Sequence, residues 1–206
     1  MKQAVFLADS HLRGAEDPNQ KLLVEFLSGL PAETTVVVVG DLFEYLAGRN
    51  YFAEQAYRPV LDQLARFDRC IYFEGNHDFD LRKETFGTNS VVIHPKGTVE
   101  RIAGLECFVM HGDRTSPTDI GTRLLRAFLQ SAAVRLLRDE LLPQKWLFNF
   151  ALGFAKLSRS GIWPGRSDEA EHARLSALRN AARMRVPLAV FAHTHRPLLQ
   201  RAGSII

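Results

Sequence analysis

Cysteine is scarce in this chain, and long apolar runs and tracts of one charge are missing. Only Cys70 and Cys107 occur among 206 residues, too few for a disulfide framework and at no spacing that a structural zinc cluster would use. Both sit beside strand-forming residues, so two reduced, buried thiols in a cytoplasmic protein are expected. No stretch approaches the roughly 20 apolar residues that a bilayer-crossing helix requires. Met1 to Leu7 is too short for a signal sequence before Asp9, Ser10 and His11. Lys and Arg number 26 against 23 Asp and Glu, a formal net charge of +3. So mild an excess suits an anionic substrate or a membrane surface and does not mark a nucleic-acid binder.

The chain does carry an alternation of strand and helix. Residues 3–8 form a short apolar run that ends at polar residues and reads as a buried strand. Leu22, Leu23, Phe26, Leu27 and Leu30 recur at helical spacing, with Pro31 ending the helix. The β-branched run Thr34 to Val39 stops at Gly40 and reads as a second buried strand. Helical spacing returns over 53–67. Strands follow at 70–73, 91–93, 105–110 and 188–192. Length and 46% hydrophobic content predict one domain over 1–206, an α/β sheet system covered on both faces.

Residues 119–165 differ from the rest and read as a helical insertion. Asp119 could cap a helix carrying Leu124, Leu125, Phe128 and Leu129. Beyond it come Leu136, Leu137, Leu141, Leu142, Trp146, Phe148, Phe150 and Phe154, with Arg123, Arg126, Arg135, Arg138, Lys145, Lys156 and Arg159 interleaved. Pro143 and Gly153 are expected to break the segment. Such a pattern fits a lid or an amphipathic contact with acidic lipid headgroups. It equally fits a packed subdomain whose basic stems cover apolar surface.

Polar residues cluster just past the strands, where open α/β sheets place their ligands. Five of the seven histidines fall there: His11 in Asp9-Ser-His11, His77 in Gly75-Asn76-His77-Asp78, His111 in Met110-His111-Gly112-Asp113, and both ends of His193-Thr-His195. Asp41 follows Gly40 in the same way, and only His94 and His172 lie elsewhere. On an extended backbone, residues two apart point to one side, so Asp9 and His11 can reach one cation. His193 and His195 can do the same, or a turn can send them to two neighbouring cations. Glycine before Asp41 and before Asn76 lets the backbone turn sharply and approach closely. Carboxylate and imidazole without thiolate suits manganese, iron or zinc. Each motif alone is weak; their order and shared placement are specific.

The series Asp9-Ser-His11, Gly40-Asp41-Leu-Phe-Glu44, Gly75-Asn76-His77-Asp78, His111 and Ala192-His193-Thr-His195 resembles the calcineurin-like metallophosphoesterase superfamily, with Ala192 where a glycine is usual. The resemblance runs from residue 4 to 197. It implies a four-layer α/β/β/α sandwich of two mixed sheets and two divalent metals, manganese first with iron or zinc as alternatives. Asp41 would bridge them, Asp9, His11 and His195 completing one site and Asn76, His111 and His193 the other. It further implies that His77 stabilises the phosphoryl group or protonates the leaving oxygen, with Asp78 orienting its imidazole, although Asp78 also reads as a helix or turn cap.

Within the superfamily the chain is similar to the bacterial UDP-2,3-diacylglucosamine diphosphatases of lipid A synthesis. The matching segments are Ala8 to Leu12, Gly40 to Glu44, Asn76 with Asp78 and Phe79, and Val109 to Asp113. That likeness implies a lipid-linked nucleotide substrate cleaved to UMP and 2,3-diacylglucosamine 1-phosphate, a helical lid over 119–160, and a place on the inner membrane surface. It puts Asp119 and Asn76 among the substrate contacts. Ser160 is added from the residues alone, where turn chemistry beside Gly161 is the competing reading. The best-known branch carries Arg where this chain has His77, which keeps a general phosphodiesterase, phosphoprotein phosphatase or nuclease as the alternative. A metal-dead scaffold is the third, disfavoured because every ligand position holds a competent residue. Glu44, Arg82 and Lys83 stay open between site partner and ordinary surface or helix-start residue. The chain ends eleven residues after His195, where relatives continue into further strands, so a truncated end is an expectation.

Overall fold

The computed structural model describes residues 3–113, 115, 128, 130–158 and 169–201. The side chains of 154–158, 169 and 170 are outside that description. Asp119 and Ser160, and with them most of the first helix of the expected insertion, fall outside it as well.

Four strands form the first sheet in the order β1 (Ala4–Leu7), β2 (Thr35–Val39), β4 (Cys70–Phe73), β6 (Val91–His94), every pairing parallel. The second holds β7 (Thr98–Ile102), β8 (Leu105–Met110) and β9 (Leu188–Phe191); β7 and β8 are antiparallel, β8 and β9 parallel. Among the described residues only the second sheet is mixed, where two mixed sheets were expected. The two-residue strands β3 (Leu46–Ala47) and β5 (Asp78–Phe79) pair with each other. The expected strands at 3–8, 34–39, 70–73, 91–93, 105–110 and 188–192 all appear, β7 falls within the stretch of short strands and turns expected around 90–110, and β3 and β5 are additions.

The alternating direction of strand side chains builds the layers. Val36 and Val38 face one core with Leu27 of α1 (Pro18–Ser28) and Tyr57, Val60, Leu61 and Leu64 of α2 (Tyr51–Ala65). Their neighbours Val37 and Val39 turn the other way, onto Ile71, Phe73, Ile102, Cys107 and Val109, which is the interface of the two sheets. Phe108 then points outward to Ala181 of α6 (Glu169–Met184) and to Val186. Helix, sheet, sheet, helix is the result. Asp17 and Asn50 accept the backbone N–H of Asn19 and Ala53, each at 3.0 Å, and so cap α1 and α2. Cys70 and Cys107 are buried and free, and burial pushes both thiols up, Cys70 to about 12.

Between the motif-bearing loops lie α3 (Lys83–Phe86) and, farther on, α4 (Ala132–Leu136), a wide π turn over Leu137–Leu141 and α5 (Gln144–Ser158). Pro143 separates the last two as expected. Gly153 does not break the segment; it sits inside α5 in open space, where glycine costs about 1 kcal/mol relative to alanine and a helix tolerates it. Phe148 packs on the core against Tyr57, whereas Trp146 and Phe150, one turn apart, stack on each other with centroids 5.1 Å apart and stay more than half exposed.

Candidate metal centre

All five motif-bearing loops leave the carboxyl ends of β1, β2, β4, β8 and β9, and they are tied together at their backbones. The N–H groups of Asp9, His11 and Leu12 donate to the carbonyls of Gly40, Asp41 and Leu42 at 3.2, 3.1 and 3.0 Å. Ala192 N–H donates to the His111 carbonyl at 2.8 Å, and His193 N–H to Asp9 Oδ2 at 2.9 Å. Asp9, His11, Asp41, His193 and His195 all adopt left-handed φ between 45° and 74°. Each such non-glycine residue costs about 1–3 kcal/mol, and such strain persists where surrounding contacts over-determine it, characteristically at functional sites. Gly40 and Gly75 make the approach feasible. A Cβ on Gly40 would lie 2.6 Å from His111 Nδ1, and one on Gly75 would overlap the Asp41 carboxylate.

The structure brings the donor atoms of Asp9, His11 and His195 into one group and those of Asp41, His111 and His193 into another; His11, Asp41 and His77 form a third. His11 Nε2 lies 3.2 Å from His195 Nε2, and His111 Nε2 lies 3.2 Å from Asp41 Oδ2, 3.2 Å from His193 Nδ1 and 3.1 Å from Asn76 Oδ1. So close a packing of ring nitrogens and carboxylate oxygens suits a cation between them. The Nδ1–H of His111 donates to the Val39 carbonyl at 2.8 Å, which fixes the ring and turns Nε2 toward the cluster. Asp9 Oδ1 is a buried carboxylate oxygen without a hydrogen-bond partner among the described residues, which costs stability unless a cation approaches it. On these grounds the residues fit divalent metal.

Charge in the site is strongly perturbed. Burial raises Asp9, and His111, His193 N–H and His195 offset this only in part. Burial likewise opposes ionisation of Asp41, yet the His111 imidazole beside it, with help from His77, holds that carboxyl far below the usual range. Burial lowers His111, but Asp41 overcomes it and lifts the ring to about 9.

Two expectations need correction. Asp78 does not touch the imidazole of His77. Its carboxylate is fully buried and accepts five donors: the backbone N–H of Asp41, Leu42, Phe43 and Gly75 at 3.0, 2.8, 3.4 and 2.9 Å, and the Tyr72 hydroxyl at 2.6 Å. Burial and the nearby Asp41 charge push it up to about 6 against the pull of those donors. It secures the loop that carries Asp41. What orients His77 is Glu44: Nδ1–H donates to the Glu44 carbonyl at 2.9 Å, with the buried Glu44 carboxylate 3.4 Å from the same nitrogen. The Gly-Asp-x-x-Glu spacing held that signal in the sequence; Tyr72 left none. The basic residues of the insertion are also not all headgroup ligands, since Arg138 is buried and Arg135 is paired with Asp80. Arg82 pairs with Asp139 rather than standing ready for a phosphate. His94 pairs with Glu100 at 2.8 Å and stacks on Phe73.

Fold and donor set together define a metal-dependent phosphoesterase. Residues 3–197 match the calcineurin-like phosphoesterase family, and the chain belongs to it. It is similar to the UDP-2,3-diacylglucosamine hydrolase of Ralstonia nicotianae, 28% identical with 94% of this chain and 77% of the relative covered. The enzyme of that name from Shewanella frigidimarina is 26% identical, covering 98% and 84%. Among solved structures, a protein of unknown function from Aquifex aeolicus superposes with a TM-score of 0.50 at 12% identity over 96% of this chain and 81% of that one, a likeness of fold alone.

Proposed function

We propose that the protein hydrolyses the pyrophosphate of UDP-2,3-diacylglucosamine, giving UMP and 2,3-diacylglucosamine 1-phosphate, with two divalent cations, manganese first, held by Asp9, His11, Asp41 and His195 on one side and Asp41, Asn76, His111 and His193 on the other. Bound there, the cations supply Lewis-acid activation of water and charge for the phosphoryl oxygens. Asp41 would bridge them: its Oδ1 already accepts the His77 N–H at 2.9 Å, and Oδ2 faces both His111 and, at 3.9 Å, His11. His77 would hold a phosphoryl oxygen or give a proton to the leaving oxygen through Nε2, because Nδ1 is engaged by Glu44. A positive charge on that ring would have the Glu44 carboxylate as a buried counter-ion.

The observation that carries the lipid reading is apolar surface on and next to the segment that is tied to Asp80 in the loop after His77. Leu136, Leu137, Leu141, Trp146 and Phe150 are each at least 43% exposed, more than water-facing helices need to show in one stretch. Acyl chains, or a membrane surface offering them, suit it. Among the described residues no helix is long and apolar enough to cross a bilayer. Segment 119–165 is proposed as an insertion of one domain over 1–206, and Asp119 and Ser160 as substrate contacts within it. His77 favours the second reading, a general phosphodiesterase, since the best-known lipid A branch carries Arg there. Release of UMP from the lipid substrate, compared with turnover of bis(p-nitrophenyl) phosphate and DNA, separates them. Lipid turnover exceeding both supports the first reading, and chromogenic turnover alone supports the second.

A further inference from the structure

Five charged side chains tie the segment at 131–141 to the loop that follows His77. Asp80, itself at a left-handed φ of 54°, accepts from Arg135 at 2.5 and 3.0 Å and from Arg138 Nη1 at 3.0 Å. Arg138 Nε donates to Asp139 Oδ1 at 2.7 Å, and the other oxygen of Asp139 accepts from Arg82 at 3.0 Å. The Arg138 guanidinium lies over the Phe79 ring, 5.7 Å from its centroid. The central side chains are close to dry: Asp80, Arg138 and Asp139 retain 11%, 9% and 7% exposure.

The rest of the contact surface is built to receive them. A Cβ on Gly48 would overlap Arg138 and Asp139, so the closeness of this approach depends on glycine. Arg49 N–H donates to Asp139 Oδ1, Asn50 Nδ2 to the Gln144 carbonyl and Tyr51 N–H to Gln144 Oε1. Gly48 follows β3 and Phe79 lies in β5, the two short strands that pair with each other. Glu44 lies two residues before β3, and His77 directly precedes β5. The π turn, an uncommon element that gathers at functional positions, carries Arg138 and Asp139 side by side into this contact.

We propose that Asp80, Arg138 and Asp139 form an ionic latch that holds segment 131–141 and the His77-bearing β3–β5 platform in one register, so that Arg138 is a positioning residue acting through the loop of His77. Surface ion pairs hold geometry poorly; here Arg138 and Asp139 are buried and Asp80 is mostly enclosed, so that loss of a single partner strands the others. The latch itself is independent of the lipid substrate. Its effect on turnover rests on the proposed role of His77.

Hydrogen exchange on the metal-free full chain reads the latch without activity. Arg138→Met is expected to speed exchange of amides 78–83 and 131–141 together, by about tenfold or more, while β2 and β4 keep their protection, as a shared local opening requires. Asp80→Asn serves the same purpose should Arg138→Met fail to fold. With metal restored, kcat on bis(p-nitrophenyl) phosphate is expected to fall roughly tenfold or more at unchanged KM, as removal of an orienting partner does, with part recovered by Arg138→Lys. Faster exchange in 131–141 alone overturns the latch. Coupled exchange with unchanged kcat keeps the latch and overturns Arg138 as a positioning residue for His77.

Discussion

The Asp78 carboxylate accepts the backbone N–H of Asp41 at 3.0 Å, so a buried acid without access to solvent sets where the central site carboxylate stands. Tyr72 completes the grip from β4 through a 2.6 Å hydrogen bond to the same carboxylate. Hydrogen bonds to a charged acceptor contribute roughly 1.5–3 kcal/mol each. Tyr72→Phe is therefore expected to lower stability by about that amount in denaturant unfolding, with metal affinity reduced alongside. Asp78→Asn places an amide against five donors and should cost more. Unchanged unfolding and metal affinity in both variants would remove this grip.

The two glycines of the site make a sharper test of geometry. Gly75→Ala sets a methyl against the Asp41 carboxylate and is expected to abolish metal binding and to destabilise by roughly 1–3 kcal/mol, the range for overpacking. Gly87→Ala is the control: its φ of 67° also strains alanine, but nothing lies within 4 Å. That variant should lose some stability and keep its metal.

Metal uptake should depend on pH with a defined sign. In the metal-free protein the pull of Asp41 outweighs burial and lifts His111 to about 9, so its Nε2 carries a proton at neutral pH that a cation must displace. Apparent affinity is then expected to rise about tenfold per pH unit up to about 9 and to level above it, with a proton released per uptake below that point. The same pair stabilises the metal-free fold below pH 6.5, and that contribution drains away as pH climbs through about 9. Calorimetric titration in buffers of different ionisation heat measures the proton directly, and a flat affinity profile would contradict it.

Trp146→Ser with Phe150→Ser removes the stacked pair on the outer face of α5. On the lipid reading, KM for UDP-2,3-diacylglucosamine should rise roughly tenfold, as loss of apolar contacts worth about 1–3 kcal/mol predicts. Turnover of bis(p-nitrophenyl) phosphate should not change. Equal losses on both substrates would assign the pair to folding.

Much of this architecture was legible from local pattern. The β-branched run at 34–39 and the apolar stretch at 70–73 mark strands because both their faces are buried, as are both faces of the 107–109 part of the stretch at 105–110. Histidine at strand ends marked the site because packing has no use for it there. What stayed hidden depends on partners distant in sequence. β3 and β5 are two residues each and exist only as a pair. The role of Asp78 turns on Tyr72 and the Asp41 loop, which no spacing encodes. Arg138 reads as one more cation on an insertion until Asp80, 58 positions away, is placed beside it.

The central claim is that Asp41 joins two groups of donors around a pair of cations. Metal analysis with electron paramagnetic resonance on manganese-loaded protein tests it most directly, since ions about 3.5–4 Å apart couple magnetically. The account predicts about two ions per chain with a coupled spectrum, and loss of the coupling together with hydrolysis in Asp41→Ala. A single uncoupled ion, or a coupled pair that persists in Asp41→Ala, would contradict it.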